Sequence, residues 1–177
     1  MTANDARRIA EERLARWVRE HAAGVRGYLL GTVRRPDIAD DLLQEVFQRA
    51  WQARDRYREE GHERAFLLRI ADRLVIDRSR RLGIEINIDE ATWRTVEPPS
   101  PAELPLDELA SSETSEELAA ALNELTLPQR RVLLLRYFGQ MSFEEIADTL
   151  GCPLGTALSH CRRGLAALRK LLTAKSI

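Results

Sequence analysis

Apolar residues recur along this chain at intervals of three and four, the signature of helices that bury one face. Ile9, Leu14, Trp17, Val18, Val25, Tyr28 and Leu29 form a loose stripe that predicts a first helix from Asp5 to about Leu30, weakened by Gly24 and Gly27. Leu43, Val46, Phe47, Ala50 and Trp51 keep the spacing closely and predict a second, capped near Asp37 and ending near Arg54. Leu67, Ile70, Ala71 and Leu74 predict a third, beginning after Gly61 and ending near Arg81. Towards the C-terminus, Leu154, Ala157, Leu158, Cys161, Leu165, Leu168 and Leu172 make the cleanest series. Ile84, Ile86 and Ile88 alternate with polar residues, but a lone strand has nothing to pair with, so extended coil is expected there.

Between Ser142 and Pro153 the local signals are dense. Ser142 and Glu145 make a capping box, Ile146 and Leu150 supply a buried stripe, and Ala147 is small enough for a second helix to cross closely. Gly151 then suits a left-handed helix end, and Pro153 suits the first turn of the next helix. A short helix, a glycine turn and a second helix make a helix-turn-helix, whose second helix normally enters the major groove. It sits within a four-part module running from Leu118 to Leu172.

Charge divides the chain into three. Residues 1–81 carry 18 basic and 14 acidic side chains, residues 82–118 carry 1 and 10, and residues 119–177 carry 8 and 4. Two mildly basic lobes, suited to a polyanion, are thus joined by a strongly acidic stretch that a polyanion repels. Pro98, Pro99, Pro101 and Pro105, with Ser111, Ser112, Thr114 and Ser115, make that stretch a poor core and a good flexible linker. The expected fold is all-α: a three- or four-helix bundle over residues 1–82, an acidic linker over 83–117, and a helix-turn-helix domain over 118–177. The longest apolar runs are too short to span a bilayer and the N-terminus is charged, so a cytoplasmic protein without membrane insertion is expected.

Candidate chemistry is sparse apart from nucleic-acid binding. Cys152, His160 and Cys161 lack the second Cys-x-x-Cys or His pair that metal sites use, and two cysteines make no disulfide framework. His21, His62 and His160 stand near no phosphate loop or nucleophile elbow. No metal, cofactor or catalysis is expected. At about 100° per residue, Phe66, Arg69, Arg73 and Arg80 fall roughly opposite the apolar stripe of the third helix. A basic face with an aromatic suits phosphates and an unpaired base. A solvated face, with Asp72 and Asp77 in helix salt bridges, gives the same pattern. On the last helix, Thr156, Ser159, His160 and Arg163 share the face away from the apolar series, with Arg162 alongside.

Asp40-Asp41-Leu42-Leu43-Gln44-Glu45-Val46-Phe47-Gln48-Arg49-Ala50-Trp51, then Arg64-Ala65-Phe66-Leu67-Leu68-Arg69-Ile70-Ala71 and Ile76-Asp77-Arg78, resemble region two of a bacterial sigma factor. Leu122-Asn123-Glu124-Leu125, Pro128-Gln129-Arg130-Arg131-Val132, the capped helix, and Gly155-Thr156 with Ser159 resemble region four. With only these two regions and a short linker, the chain resembles the extracytoplasmic-function (ECF) group. The resemblance implies a factor that binds core RNA polymerase and directs it to promoter DNA, with an anti-sigma factor as a further candidate partner. A sigma-like DNA-binding regulator or adaptor that does not initiate transcription is the competing reading; a simple repressor has no need of the clamp-docking helix.

Carried over residue by residue, the resemblance assigns Asp40, Asp41, Leu42, Gln44, Glu45 and Phe47 to a coiled coil of the polymerase clamp. It assigns Arg58, Arg64, Phe66, Arg69, Arg73, Asp77, Arg78, Arg80 and Arg81 to reading and opening the minus-ten element. Thr156, Ser159, His160, Arg162 and Arg163 are assigned to the minus-thirty-five element. The chain also departs from the family pattern. Phe66 stands where tryptophan is frequent, and Asp72-Arg73 replaces a pair usually ending in asparagine. Leu158, His160 and Leu165 occupy positions that are commonly basic. Each lost phosphate contact weakens binding and flattens its salt dependence, so the N-terminal lobe is expected to carry most promoter specificity.

Overall fold

In a computed structural model, which describes residues 3–54, 57, 61–82 and 115–175, the chain is all-α and divides into two compact units, Met1–Glu85 and Ile86–Ile177. The first holds α1 (Ala3–Val33), α2 (Pro36–Gln52) and α3 (Glu63–Arg81). The second holds α4 (Ser115–Asn123), α5 (Leu127–Tyr137), α6 (Phe143–Leu150) and α7 (Leu154–Lys175). The C-terminal helices thus begin already at Ser115, inside the stretch expected to be linker. The extended coil expected at Ile84–Ile88 lies outside the described residues.

In the first unit each helix packs on the other two. The core takes Trp17, Val25, Tyr28 and Leu29 from α1, Ala39, Leu42, Val46 and Ala50 from α2, and Leu67, Leu68, Ala71 and Leu74 from α3. This corrects the expected stripes. Ile9 and Val18 of α1 are exposed, and α2 buries Ala39 and Leu42 in place of Leu43, Phe47 and Trp51. Nor does Asp37 cap α2. The helix starts at Pro36, whose missing N–H costs nothing there, and Asp37 in the first turn pairs with Arg35 at 2.6 Å. Asp72 is buried too, and accepts a hydrogen bond of 2.5 Å from the Tyr28 hydroxyl, tying α3 to α1.

The second unit is organised around α7, which packs on α4, α5 and α6. The expected capping box forms: the Ser142 N–H donates to Glu145 Oε2 at 2.8 Å, and the Glu145 N–H donates to Ser142 Oγ at 3.1 Å. Gly151 takes the left-handed conformation at φ 66°, and the next N–H, from Cys152, reaches back to the Ala147 carbonyl at 3.0 Å. Pro153 stands one position earlier than expected, just before α7, where its carbonyl accepts from the Thr156 N–H at 3.0 Å. Arg136 fastens the preceding turn, donating to the Met141 carbonyl at 2.7 Å with its guanidinium over the Phe143 ring. Gly164 permits the α5–α7 crossing, since a Cβ there would lie 2.9 Å from Leu133 Cδ1.

Arg130 is the polar keystone of this unit. Its side chain is buried and donates to the carbonyls of Leu122, Asn123 and Leu125 at 2.9, 3.2 and 3.0 Å. The last carbonyls of a helix have no partner within it, so a guanidinium supplied by α5 completes the end of α4. Arg130→Met, which keeps the packing volume and removes the donors, is expected to destabilise the C-terminal unit by roughly 3 kcal/mol, read by chemical denaturation of the full chain.

His160 is also buried, and its pKa lies below the ordinary 6.5, first because burial disfavours the cation and second because Arg163 is near. The unfolded chain therefore takes up a proton that the folded chain resists. Stability is expected to fall as pH drops below about 6.5, and to be insensitive to this group above that value. His160→Gln, neutral throughout, should remove part of the slope in a pH series of melting temperatures. His21, lowered by burial and by Arg64, should account for a share in the N-terminal unit.

Candidate polymerase and nucleic-acid interfaces

Helix α2 carries two parallel stripes. Ala39, Leu42, Val46 and Ala50 face the core, while Leu43, Phe47 and Trp51, each four residues apart, line an open groove of about 730 Å³ with Leu14 and Val18 of α1. Ala39, Val46 and Ala50 on the inner stripe let the helices approach, and both aromatics of α2 are turned outward. Gln44 and Gln48 rim the groove beside Glu11. An apolar groove with a polar rim is the form of a site that receives a helix.

The six candidate polymerase contacts divide accordingly. Asp41 and Gln44 are exposed, and Phe47 lines the groove. Asp40 is engaged by Arg26 of α1, with hydrogen bonds of 2.6 and 3.2 Å, and this pairing holds its carboxyl below the usual carboxylate range. Glu45 pairs with Arg49 one turn along, at 2.7 Å. Leu42 is a correction: it is buried in the core and offers no surface. The sequence reading missed the α1 wall of the groove, although Leu14 and Val18 stand four apart and could have been paired with the outer stripe of α2.

On α3, Arg73, Asp77, Arg80 and Arg81 are exposed, and Arg64, Arg69 and Arg78 are partly so. Arg69, Arg73 and Arg80 share one face with Asp77 beside them, Arg64 and Arg78 fall roughly opposite, and the last turn is the most basic, where cations also favour the helix dipole. Arg58 lies outside the described residues. Phe66 is not the open stacking platform expected. Its ring sits 4.6 Å from that of Tyr57 and 5.9 Å from that of Trp17, centroid to centroid, and is only partly exposed. The apolar-versus-basic division of α3 hid this, because a ring on the flank of a helix can be covered by a neighbouring connection.

On α7, Arg162 is exposed, while Thr156 and Arg163 are partly so. Arg163 reaches back to the Ser159 carbonyl at 3.4 Å. Ser159 and His160 are corrections: they are 3% and 4% exposed. A helix packed on three neighbours buries more than one stripe, so spacing alone could not leave this face open. Cys161 is fully buried, and burial pushes its thiol up to about 11, which keeps it protonated and fits a small hydrophobe. Among the described residues, no helix is long and apolar enough to cross a membrane.

Comparison with known proteins accounts for both units. Residues 17–83 match the family model described as Sigma-70 region 2, and residues 115–168 match that of Sigma-70, region 4. The ECF RNA polymerase sigma factor SigW of Bacillus subtilis is 32% identical over 150 residues, covering 81% of this chain and 79% of that protein. The ECF RNA polymerase sigma factor SigK of Mycolicibacterium vanbaalenii is 26% identical over 162 residues, covering 91% and 82%. The fold is shared with the sigma factor RpoE of Bartonella quintana, solved in complex with the anti-sigma factor NepR. That likeness has a TM-score of 0.70 at 22% identity, over 92% of this chain and 98% of that one. This chain belongs to the ECF group of RNA polymerase sigma factors.

Proposed function

We propose that this ECF sigma factor divides its work between its units. Residues 1–82 hold core polymerase and open the minus-ten element, residues 83–117 connect, and residues 118–177 contact upstream DNA. It acts in the cytoplasm and without catalysis of its own. The observation that carries this reading is the groove between α1 and α2. Its apolar floor of Leu43, Phe47 and Trp51 lies open beside the exposed Asp41 and Gln44, where a helix of the polymerase clamp can seat. An anti-sigma factor covering the same groove would compete with polymerase.

Asp40, Glu45 and Asp37 serve a second purpose in this account, since their partners Arg26, Arg49 and Arg35 hold the surface around Asp41 and Gln44 in shape. Binding energy should then concentrate in the central aromatic rather than in the rim charges. Phe47→Ala is expected to weaken binding to core polymerase by roughly 10–100-fold with helicity unchanged, read by fluorescence anisotropy of labelled protein against purified core enzyme. Unaltered affinity would remove the groove from the docking surface.

DNA contacts fall to Arg69, Arg73, Arg78, Arg80 and Arg81 on α3, and to Thr156, Arg162 and Arg163 on α7. The latter set is thin. Leu158, in a commonly basic position, is partly exposed, whereas His160 is buried and could not host a charge without cost. Leu158→Lys alone is therefore the informative change. It should strengthen holoenzyme binding to upstream promoter DNA and make the slope of log K against log salt steeper by about one. An unchanged slope would place Leu158 away from the phosphates.

A further inference from the structure

Asp72 is the one carboxylate buried among the described residues. Taking a carboxylate out of water costs free energy that an apolar residue in the same place would not, so stability alone does not account for it. It is 2% exposed in the middle of α3, where its Oδ1 accepts from the hydroxyl of the fully buried Tyr28 of α1 at 2.5 Å. The buried arc of α3 runs from Leu67 and Leu74 at one edge, through Ala71 and Leu68, to Asp72 and Ala65 at the other. Asp72 is thus about 60–100° round the helix from Arg69, Arg73 and Arg80, on the side of the arc that borders their face. The other buried side chains of α3 are aliphatic. Aliphatic contacts are non-directional and leave a helix free to settle over a range of rotations about its axis. A hydrogen bond at the edge of the arc is directional and weakens steeply when turned out of line. Arg16 and Glu63 also face each other across α1 and α3, but at 3.9 Å and partly exposed, which restrains the start of the helix only weakly.

We infer that Tyr28 and Asp72 are positioning residues for minus-ten recognition. Their bond sets the rotation of α3 about its own axis, and with it where Arg69, Arg73 and Arg80 meet the DNA. This rests on the proposal that the basic face of α3 reads that element. A turn of about 20° displaces the surface of an α-helix by roughly 2 Å. Contacts to bases and phosphates need their donors held to within about 0.5 Å, so a small rotation is enough to lose them. Arg69, three residues before Asp72, is the most directly affected. Its Nε is enclosed and has no hydrogen-bond partner among the described residues, so its reach follows the helix surface.

The distinguishing measurement is sequence preference, because loss of folded protein lowers transcription from every template alike. Holoenzyme is given a template library randomised over the minus-ten positions, and the enrichment of the best sequences among the transcripts is compared between variants. Tyr28→Phe, which removes one hydroxyl, should flatten the enrichment about tenfold, the loss of one base contact, while core polymerase affinity is retained. Asp72→Asn, which keeps an acceptor of the same shape, should preserve most of it. The double variant Tyr28→Phe with Asp72→Leu removes both polar partners at similar volume. It should fold and flatten the enrichment as far as Tyr28→Phe does, and it decides the matter if Tyr28→Phe alone does not fold. An unchanged enrichment in the folded variants, a uniform fall across all templates, Asp72→Asn as damaging as Tyr28→Phe, or loss of folding in both Tyr28→Phe variants overturns the assignment. Arg73→Ala separates this from the reading beneath it. If Arg73→Ala enriches as the wild type does, α3 does not read the element and the underlying proposal fails. If Arg73→Ala flattens the enrichment and Tyr28→Phe does not, the positioning role alone is removed.

Discussion

The inner stripe of α2 sets the surfaces of the N-terminal unit. Ala39, Leu42, Val46 and Ala50 occupy the seam of a three-helix core, and two of the four are alanines. Ala39, Val46 and Ala50 let the helix axes approach, while Leu43 and the rings of Phe47 and Trp51 lie outside the seam. Those residues become the floor of a groove open to solvent. Their exposure costs hydrophobic free energy in the isolated protein, which covering the groove would recover. The core seam and the open groove are thus two adjacent faces of one helix.

The same economy appears on α1. One turn of it, Arg13 to Trp17, serves the core, the groove and the α2–α3 connection together: Leu14 lines the groove, Trp17 is buried, and Arg13 and Arg16 reach the two ends of the connection. Further along, Arg26 holds Asp40, and Tyr28 holds Asp72. Polar bonds at the periphery orient surfaces, whereas the buried Tyr28–Asp72 bond fixes the register of α3, and with it the direction of its basic face.

In the C-terminal unit the ordering runs through backbone satisfaction. Arg130 closes the end of α4, Arg136 closes the turn before α6, and Ser142 with Glu145 opens α6. Gly151 then reverses the chain into α7. The long helix is consequently gripped by three short ones, with Gly164 admitting Leu133 at the tightest point. This grip draws Ser159 and His160 inward, leaving Arg162, Arg163 and Thr156 as the exposed or partly exposed candidates.

The sequence by itself determined α1, α2, α3, α6 and α7, the capping box and glycine end of α6, the two basic regions and the acidic stretch between them, but not the start of α2, where Asp37 makes no cap. Local rules suffice there: a capping box needs four residues, a left-handed helix end needs Gly151, and apolar spacing declares a helix. It also carried the family, because the residues of α2, α3 and α6 occur in order as extended motifs. Which apolar stripe is covered was decided only by tertiary structure. On α2 the inner and outer stripes are adjacent and both satisfy the three-four rule, and the neighbouring helices cover Ala39, Leu42, Val46 and Ala50. On α3 the flanking Phe66 was claimed by Tyr57, which lies off the helix in the chain before it, so the pattern along α3 carries no sign of the contact. On α7, three packed neighbours widened the buried arc past the apolar series to Ser159 and His160. Periodicity fixes the angle between side chains on one helix, but exposure depends on how many helices surround it, and that number is a property of the assembled fold.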